Sequence, residues 1–157
     1  MGLVSAEILP KGPYPNEPKL KGRAAEGIRY QKKVHGELKA LAPQGRLYEG
    51  PWIRFRDSYG THWCQPDHVL EAWDRIILAE SKLSLRRLDT AVTQLTRLYR
   101  PCLQMIFPSK PIVMIVAFKH WLKGVEDPVP MISDLQDLMS MPLTGKIQPK
   151  GWHFMGL

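Results

Sequence analysis

Cysteine is scarce: the 157 residues include only two, Cys64 and Cys102, far apart in the chain and outside any CxxC spacing. A disulfide framework is excluded and no zinc ribbon is signalled, so a reducing cytoplasm is the expected setting. Long hydrophobic runs are also missing. No uninterrupted apolar stretch reaches the roughly 18 residues of a membrane span. Residues Met1 to Pro10 lack the basic start and apolar stretch of a secretory leader, so neither membrane insertion nor secretion is expected. Acidic residues are few as well: fifteen Asp and Glu stand against twenty-two Lys and Arg, a net charge of +7. That balance favours polyanions through steering and counterion release, nucleic acid first; the plain alternative is a basic surface that only confers solubility. Lys11, Lys19, Lys21, Arg23, Arg29, Lys32 and Lys33 crowd the first third, whereas Glu126, Asp127, Asp134 and Asp137 make the later region more acidic.

What is present is ordinary globular material, 44% apolar and 24% charged, enough for one compact domain. Pro10, Pro13, Pro15 and Pro18 make residues 1–20 an extended arm without a helix. Residues 21–120 read as the core and 121–157 as an extension packed on it. From Gly22 to Ala42 small and apolar residues recur at helical spacing and stop before Pro43 and Gly45. Trp52 to Arg56 alternates as a strand, Ser58 to Gly60 turns, and His62 to Leu70 reads as a second strand. After a turn at Ala72 to Asp74, a third strand over Arg75 to Leu83 sends Ile76, Leu78, Glu80 and Lys82 to one face. Ile77, Ala79, Ser81 and Leu83 go to the other. Leu88, Val92, Leu95, Tyr99, Cys102 and Ile106 keep a helical period that Pro101 should kink or divide. Ile112 to Phe118 is an apolar run suited to a strand covered on both sides. The expected fold is α/β, a mixed central sheet flanked by helices in the order α-β-β-β-α-β. Ile132 to Met139 suggests a short amphipathic helix, Trp152 to Leu157 a closing strand, and the five tryptophans packing in the core or an interface.

Pro66-Asp67 lies in the predicted second strand and Glu80-Ser81-Lys82 in the third, joined by a tight hairpin. Residues i and i+2 of a strand share a face, so Glu80 and Lys82 point together, and strand pairing brings Asp67 beside Glu80. Adjacent carboxylates repel unless a cation bridges them, and hard oxygen ligands suit Mg²⁺ or Mn²⁺. Such an ion would lower the pKa of a bound water and neutralise a phosphodiester, while Lys82 could position the hydroxide and screen developing charge. Pro66 lets the strand bend where the ligand projects. Taken alone, Glu80 and Lys82 would be an ordinary ion pair; a charged triplet on an otherwise apolar strand demands a reason.

This combination resembles the PD-(D/E)XK nuclease superfamily over about Gly22 to Phe118, most closely archaeal-type Holliday-junction resolvases and related phage nucleases. The resemblance implies a restriction-endonuclease-like core, phosphodiester hydrolysis in branched DNA, a homodimer and Mg²⁺, with Mn²⁺ as a substitute. It also implies that Asp67 and Glu80 are metal ligands and Lys82 the catalytic lysine. Lys21-Gly22-Arg23-Ala24-Ala25-Glu26 resembles the family's first-helix opening, and Gly151-Trp152-His153-Phe154 its ending. The family's first helix carries a metal-site glutamate, for which Glu26 and Gln31 are the candidates. Counting three, four and seven residues on from Glu26 reaches Arg29, Tyr30 and Lys33, a solvated face; from Gln31 it reaches Val34, His35 and Leu38, a buried one. Gln31 is therefore preferred, and Gly27-Ile28-Arg29-Tyr30-Gln31 is similar to a Gly-x-x-aromatic-Glu segment of phage members. An amide there is either a natural substitution or a replacement that traps an inactive form; it lowers metal affinity by removing a charge. Gln94 resembles a glutamine that some members use beside the metal.

Lys21, Arg23, Arg29, Lys32, Lys33, Arg54 and Arg56 are candidate phosphate contacts, with Arg86, Arg87, Arg97 and Arg100 behind them. His62, Cys64, Asp67 and His68 resemble a transition-metal cluster, but strand alternation sends the other three away from Asp67. Three functions stay in view: a junction-resolving endonuclease, a less selective nuclease acting on ends or flaps, and a junction-binding protein that has lost a catalytic acid.

Overall fold

The computed structural model describes residues 2–10, 23–84, 88–120 and 152–156. The chain is a mixed α/β protein, and its described residues form two sheets. One has three strands in the order β1 (Ser5–Leu9), β3 (Trp52–Asp57), β4 (Gly60–Cys64). The other has five, in the order β2 (Arg46–Glu49), β5 (His68–Glu71), β6 (Ile76–Ser84), β7 (Ile112–His120), β8 (Trp152–Gly156). In the larger sheet β2, β5 and β6 run antiparallel, while β6, β7 and β8 run parallel.

Helix α1 (Arg23–Leu41) forms because Tyr30, Val34 and Leu38, each four residues after the last, make one apolar ridge. The ridge covers Leu70, Ile77, Ala79, Ile115 and Ala117 on one face of the five-stranded sheet. Tyr30 is 3% exposed, which corrects its assignment to a solvated face: the buried stripe begins one residue before Gln31. The helix ends at a turn where Gly45 donates its N–H to the Ala42 carbonyl at 2.9 Å. A Cβ on Gly45 would sit 2.9 Å from the Glu71 carbonyl oxygen, so glycine is what lets the turn pass so close to β5.

Strand β6 lies between β5 and β7, and its alternation splits the core. Ile77 and Ala79 meet α1, whereas Ile76 and Leu78 join Val69, Met114 and Val116 on the opposite face. That second face is closed by Ile53, Phe55 and Cys64 of the smaller sheet together with Ala91, Leu95, Tyr99, Cys102 and Leu103. The helical segment supplying the last five residues comes in three pieces: α2 (Leu88–Thr93), a π-helical turn over Gln94–Tyr99, and α3 (Arg100–Ile106). Pro101 has no N–H to return to the preceding turn, and the wide turn stands just before it.

Three features differ from the sequence expectation. His62 to Leu70 is not one strand: β4 ends at Cys64 in the smaller sheet and β5 begins at His68 in the larger. Pro66-Asp67 therefore lies in the crossover between sheets, where the missing proline N–H ends one ladder before the next begins. Strands β1 and β2 are additional to the expected order; the first pairs with β3 and places Ser5–Leu9 at a sheet edge. Trp73, in the β5–β6 turn, is 87% exposed and belongs to no core. Cys64 and Cys102, distant in sequence, are buried neighbours with free, mutually hydrogen-bonded thiols. The proposed helix over Ile132 to Met139 lies outside the described residues, and among those described no helix is long and apolar enough to cross a membrane.

Candidate active site

The register of β5 on β6 builds the site. His68 pairs with Ala79, so Asp67, one residue earlier, arrives opposite Glu80 just where the ladder stops. The backbone groups there are taken up by side chains. Asp67 N–H donates to Glu80 Oε1 at 3.0 Å, and Ser81 N–H donates to Asp67 Oδ2 at 2.8 Å. The two carboxyls are thus held against one another by exchanged backbone bonds. Lys82 emerges on the Glu80 face, its Nζ 3.6 Å from Glu80 Oε2 and 3.5 Å from Gln94 Oε1 at the start of the π-helical turn.

Glu80 is 2% exposed, and burial followed by the Asp67 charge pushes its carboxyl up to about 8, against the Asp67 N–H and Lys82. Burial likewise raises Asp67, opposed by the Ser81 N–H and Lys82. The Tyr99 hydroxyl, buried nearby, is pushed up by burial and then by the two carboxylates. The pair is short of positive charge: near neutral pH it retains a proton that a cation could displace.

Above Asp67 opens a cleft of about 460 Å³ lined by Ile28, Gln31, Lys32, Glu49, Gly50, Trp52, Gln65 and Asp67. Gln31 and Asp67 therefore line one space, from α1 and the crossover. Among the described residues no group of three or more His, Cys, Asp and Glu gathers in a metal-binding arrangement. The acids lining the cleft are Glu49 and Asp67, Glu80 and Lys82 are not among its lining residues, and α1 contributes an amide, Gln31, rather than a further acid. Two carboxylates with amide oxygens at the rim still make an all-oxygen donor set, which suits a hard divalent ion with several retained waters. Glu26 is elsewhere, bonded at 3.1 Å to Lys119.

The other candidates scatter. Arg29, Lys32 and Lys33 are on α1, and Lys32 lines the cleft. Arg54 and Arg56 are exposed on the smaller sheet, Arg54 bonded to Glu7 and stacked 5.9 Å from the Trp63 ring. Lys21, Arg86 and Arg87 lie outside the described residues, as does the Arg23 side chain. The His62, Cys64 and His68 cluster is dispersed: His62 meets Asp57 at 3.0 Å, Cys64 meets Cys102, and His68 meets Ser81 Oγ at 2.6 Å.

Sequence reasoning missed Gly50 and Gln65. Gly50 donates its N–H to the Asp67 carbonyl at 2.8 Å and accepts from Gln65 Nε2, also at 2.8 Å, which ties the crossover to the end of β2. Its φ is +53°, and a Cβ there would come 3.3 Å from Gln65 Nε2 and 3.9 Å from Gln31 Nε2, filling the floor of the cleft. The Gly50-Pro51 step was the available signal. A second groove of about 370 Å³ shares Glu49, Gly50 and Trp52 with the first and continues past Arg46, whose guanidinium lies 4.6 Å over the Tyr48 ring.

No protein-family model, no curated protein and no solved structure matches the chain.

Proposed function

We propose that the chain is a divalent-metal-dependent DNA endonuclease with a restriction-endonuclease-like core of PD-(D/E)XK type. Its substrate is branched DNA, four-way junctions foremost, cut by a cytoplasmic homodimer. The observation that carries this reading is the Asp67–Glu80 pair, a half-buried and a buried carboxyl in contact, with the Lys82 ammonium beside them. Neither stability nor packing calls for two acids there; burial raises both above their ordinary range, and the Asp67 charge raises Glu80 further.

Asp67 and Glu80 would hold Mg²⁺ or Mn²⁺, with Gln31 offering a carbonyl oxygen from α1. When bound, the ion supplies charge neutralisation at a phosphodiester and a water of lowered pKa. Lys82, steadied by Gln94, orients the attacking water and offsets negative charge on the phosphate as the bond to the leaving oxygen breaks. Gly50 keeps the cleft floor open. Lys32 at the rim and Arg29, Lys33, Arg54 and Arg56 on the surface would hold the backbone without reading sequence. The groove past Arg46 and Tyr48 extends the path for a strand leaving the cleft.

Gln31 supports a second reading, a junction-binding protein that retains the pair but not the activity. One experiment separates them: a labelled four-way junction is incubated with Mg²⁺ and either the protein itself or its Gln31→Glu variant. We expect paired nicks that EDTA abolishes, at a rate at least about 10-fold higher for Gln31→Glu, since the restored acid adds a charged ligand. Tight, salt-sensitive binding with no cleavage by either protein would favour the binding reading. Cleavage indifferent to EDTA would refute the metal mechanism. Flap and linear duplex substrates run alongside measure selectivity for the junction.

A further inference from the structure

Ser81, between the two charged residues of the Glu80-Ser81-Lys82 triplet, holds Asp67 from its backbone and is itself held from behind. Its N–H donates to Asp67 Oδ2 at 2.8 Å, and its Oγ lies 2.6 Å from His68 Nε2. His68 is fully buried, at 0% exposure. Its second ring nitrogen, Nδ1, is buried with no hydrogen-bond partner among the described residues. The ring packs 6.1 Å from that of His35 on α1, whose Nε2 lies 3.7 Å from Glu49 Oε2 at the cleft rim. For filling space alone, a leucine or phenylalanine would serve His68's position better, because it would bury no orphaned polar atom. The imidazole's one hydrogen bond among the described residues is what distinguishes it from an apolar residue, and that bond leads through Ser81 to the Asp67 carboxylate.

We propose that His68 is a positioning residue of the carboxylate pair. By pinning Ser81 Oγ it fixes the Ser81 N–H, and so the orientation of Asp67 Oδ2 toward the cleft; its effect on metal affinity rests on the reading that the pair holds a divalent ion. Burial pushes His68 down to about 3, so the ring that makes this bond is neutral. The arrangement matches the outer-layer hydrogen bonding that orients ligating carboxylates in metal sites, whose loss typically costs about 10- to 100-fold in metal affinity or activity.

The test uses the difference between two amides. In His68→Gln the terminal amide reaches about where Nε2 was and can meet Ser81 Oγ; in His68→Asn it stops at the position of Nδ1 and cannot. Two quantities are measured in the full chain with each variant and with Ser81→Ala: hydrogen exchange of the residue-81 amide in the metal-free protein, and Mn²⁺ binding. We expect exchange at residue 81 to rise about 10-fold or more in His68→Asn and Ser81→Ala while His68→Gln stays near the parent. Mn²⁺ affinity should fall about 10- to 100-fold in the first two, recover in His68→Gln, and fall no further when His68→Asn and Ser81→Ala are combined. Should His68→Asn fail to fold, Ser81→Ala and His68→Gln still carry the comparison. Unchanged exchange at residue 81 in Ser81→Ala, or equal effects of the two amide variants, would overturn the proposal. The same exchange pattern without Mn²⁺ binding by any protein would support His68's positioning of Asp67 and remove the metal reading instead.

Discussion

Replacing Glu80 by glutamine is expected to stabilise the metal-free protein above neutral pH. The native Glu80 carboxyl titrates at about 8, raised from an ordinary 4.5 by burial first and the Asp67 charge second. Between those values the folded chain keeps a proton that the unfolded chain has released. This group's stabilising contribution is therefore fully present below 4.5 and is lost as pH rises through about 8. The substituted amide would not titrate, yet its oxygen could still accept the Asp67 N–H, so the exchanged backbone bonds survive. Thermal unfolding from pH 4.5 to 8.5 should show the melting temperature of the parent falling by several degrees relative to Glu80→Gln, with the gap widest at the upper end. Mn²⁺ should narrow that gap by stabilising the parent more than the variant, because a ligand that binds the native state more tightly adds more to its stability. Parallel curves for the two proteins would mean that Glu80 is not held protonated by its surroundings.

Lys82→Met is expected to lower the rate of metal-dependent cleavage by about 10²- to 10³-fold, the usual cost of removing one group that stabilises transition-state charge. The change should fall on kcat, with KM for the junction little altered, because Lys82 is a half-buried cation between Glu80 and Gln94 rather than a surface phosphate contact. The variant should still bind Mn²⁺, since both carboxylates remain. It also removes a positive charge that opposes the rise of both carboxyls, so the half-point for metal binding should move to higher pH. Single-turnover cleavage across pH and metal concentration separates these effects. Equal losses from Lys82→Met and Lys32→Met would contradict a chemical role for Lys82.

The parts of the fold visible in the sequence are those with local periodicity. Val34, Leu38 and Leu41 mark α1 although Tyr30 was assigned to its solvated face, β6 is apolar on both faces at its start, and the apolar run at Ile112 to Phe118 marks a strand sheathed on both sides. The crossover was hidden. Trp63, Cys64, Val69 and Leu70 are as apolar as a continuous strand would be, and only Pro66 betrays the change of sheet. Strand β1 was hidden because its partner, β3, is far along the chain. Strand β2 was hidden because four residues give too little alternation to read. In the site, the meeting of Asp67 with Glu80 and Lys82 follows from β5–β6 pairing and was legible. Gly50 and Gln65 were not, since their contact depends on the crossover. His68 stands out in the sequence for its chemistry as a metal ligand, whereas its bond to Ser81 requires a register that no short motif encodes.

The most direct test of the account is Mn²⁺ binding, followed by electron paramagnetic resonance or calorimetry, to the protein and to Asp67→Asn. The carboxylate pair predicts one site that weakens by at least about 10-fold in Asp67→Asn, because one charged oxygen ligand is lost. Equal affinity for the two proteins, or no bound ion in the parent at millimolar Mn²⁺, would contradict it.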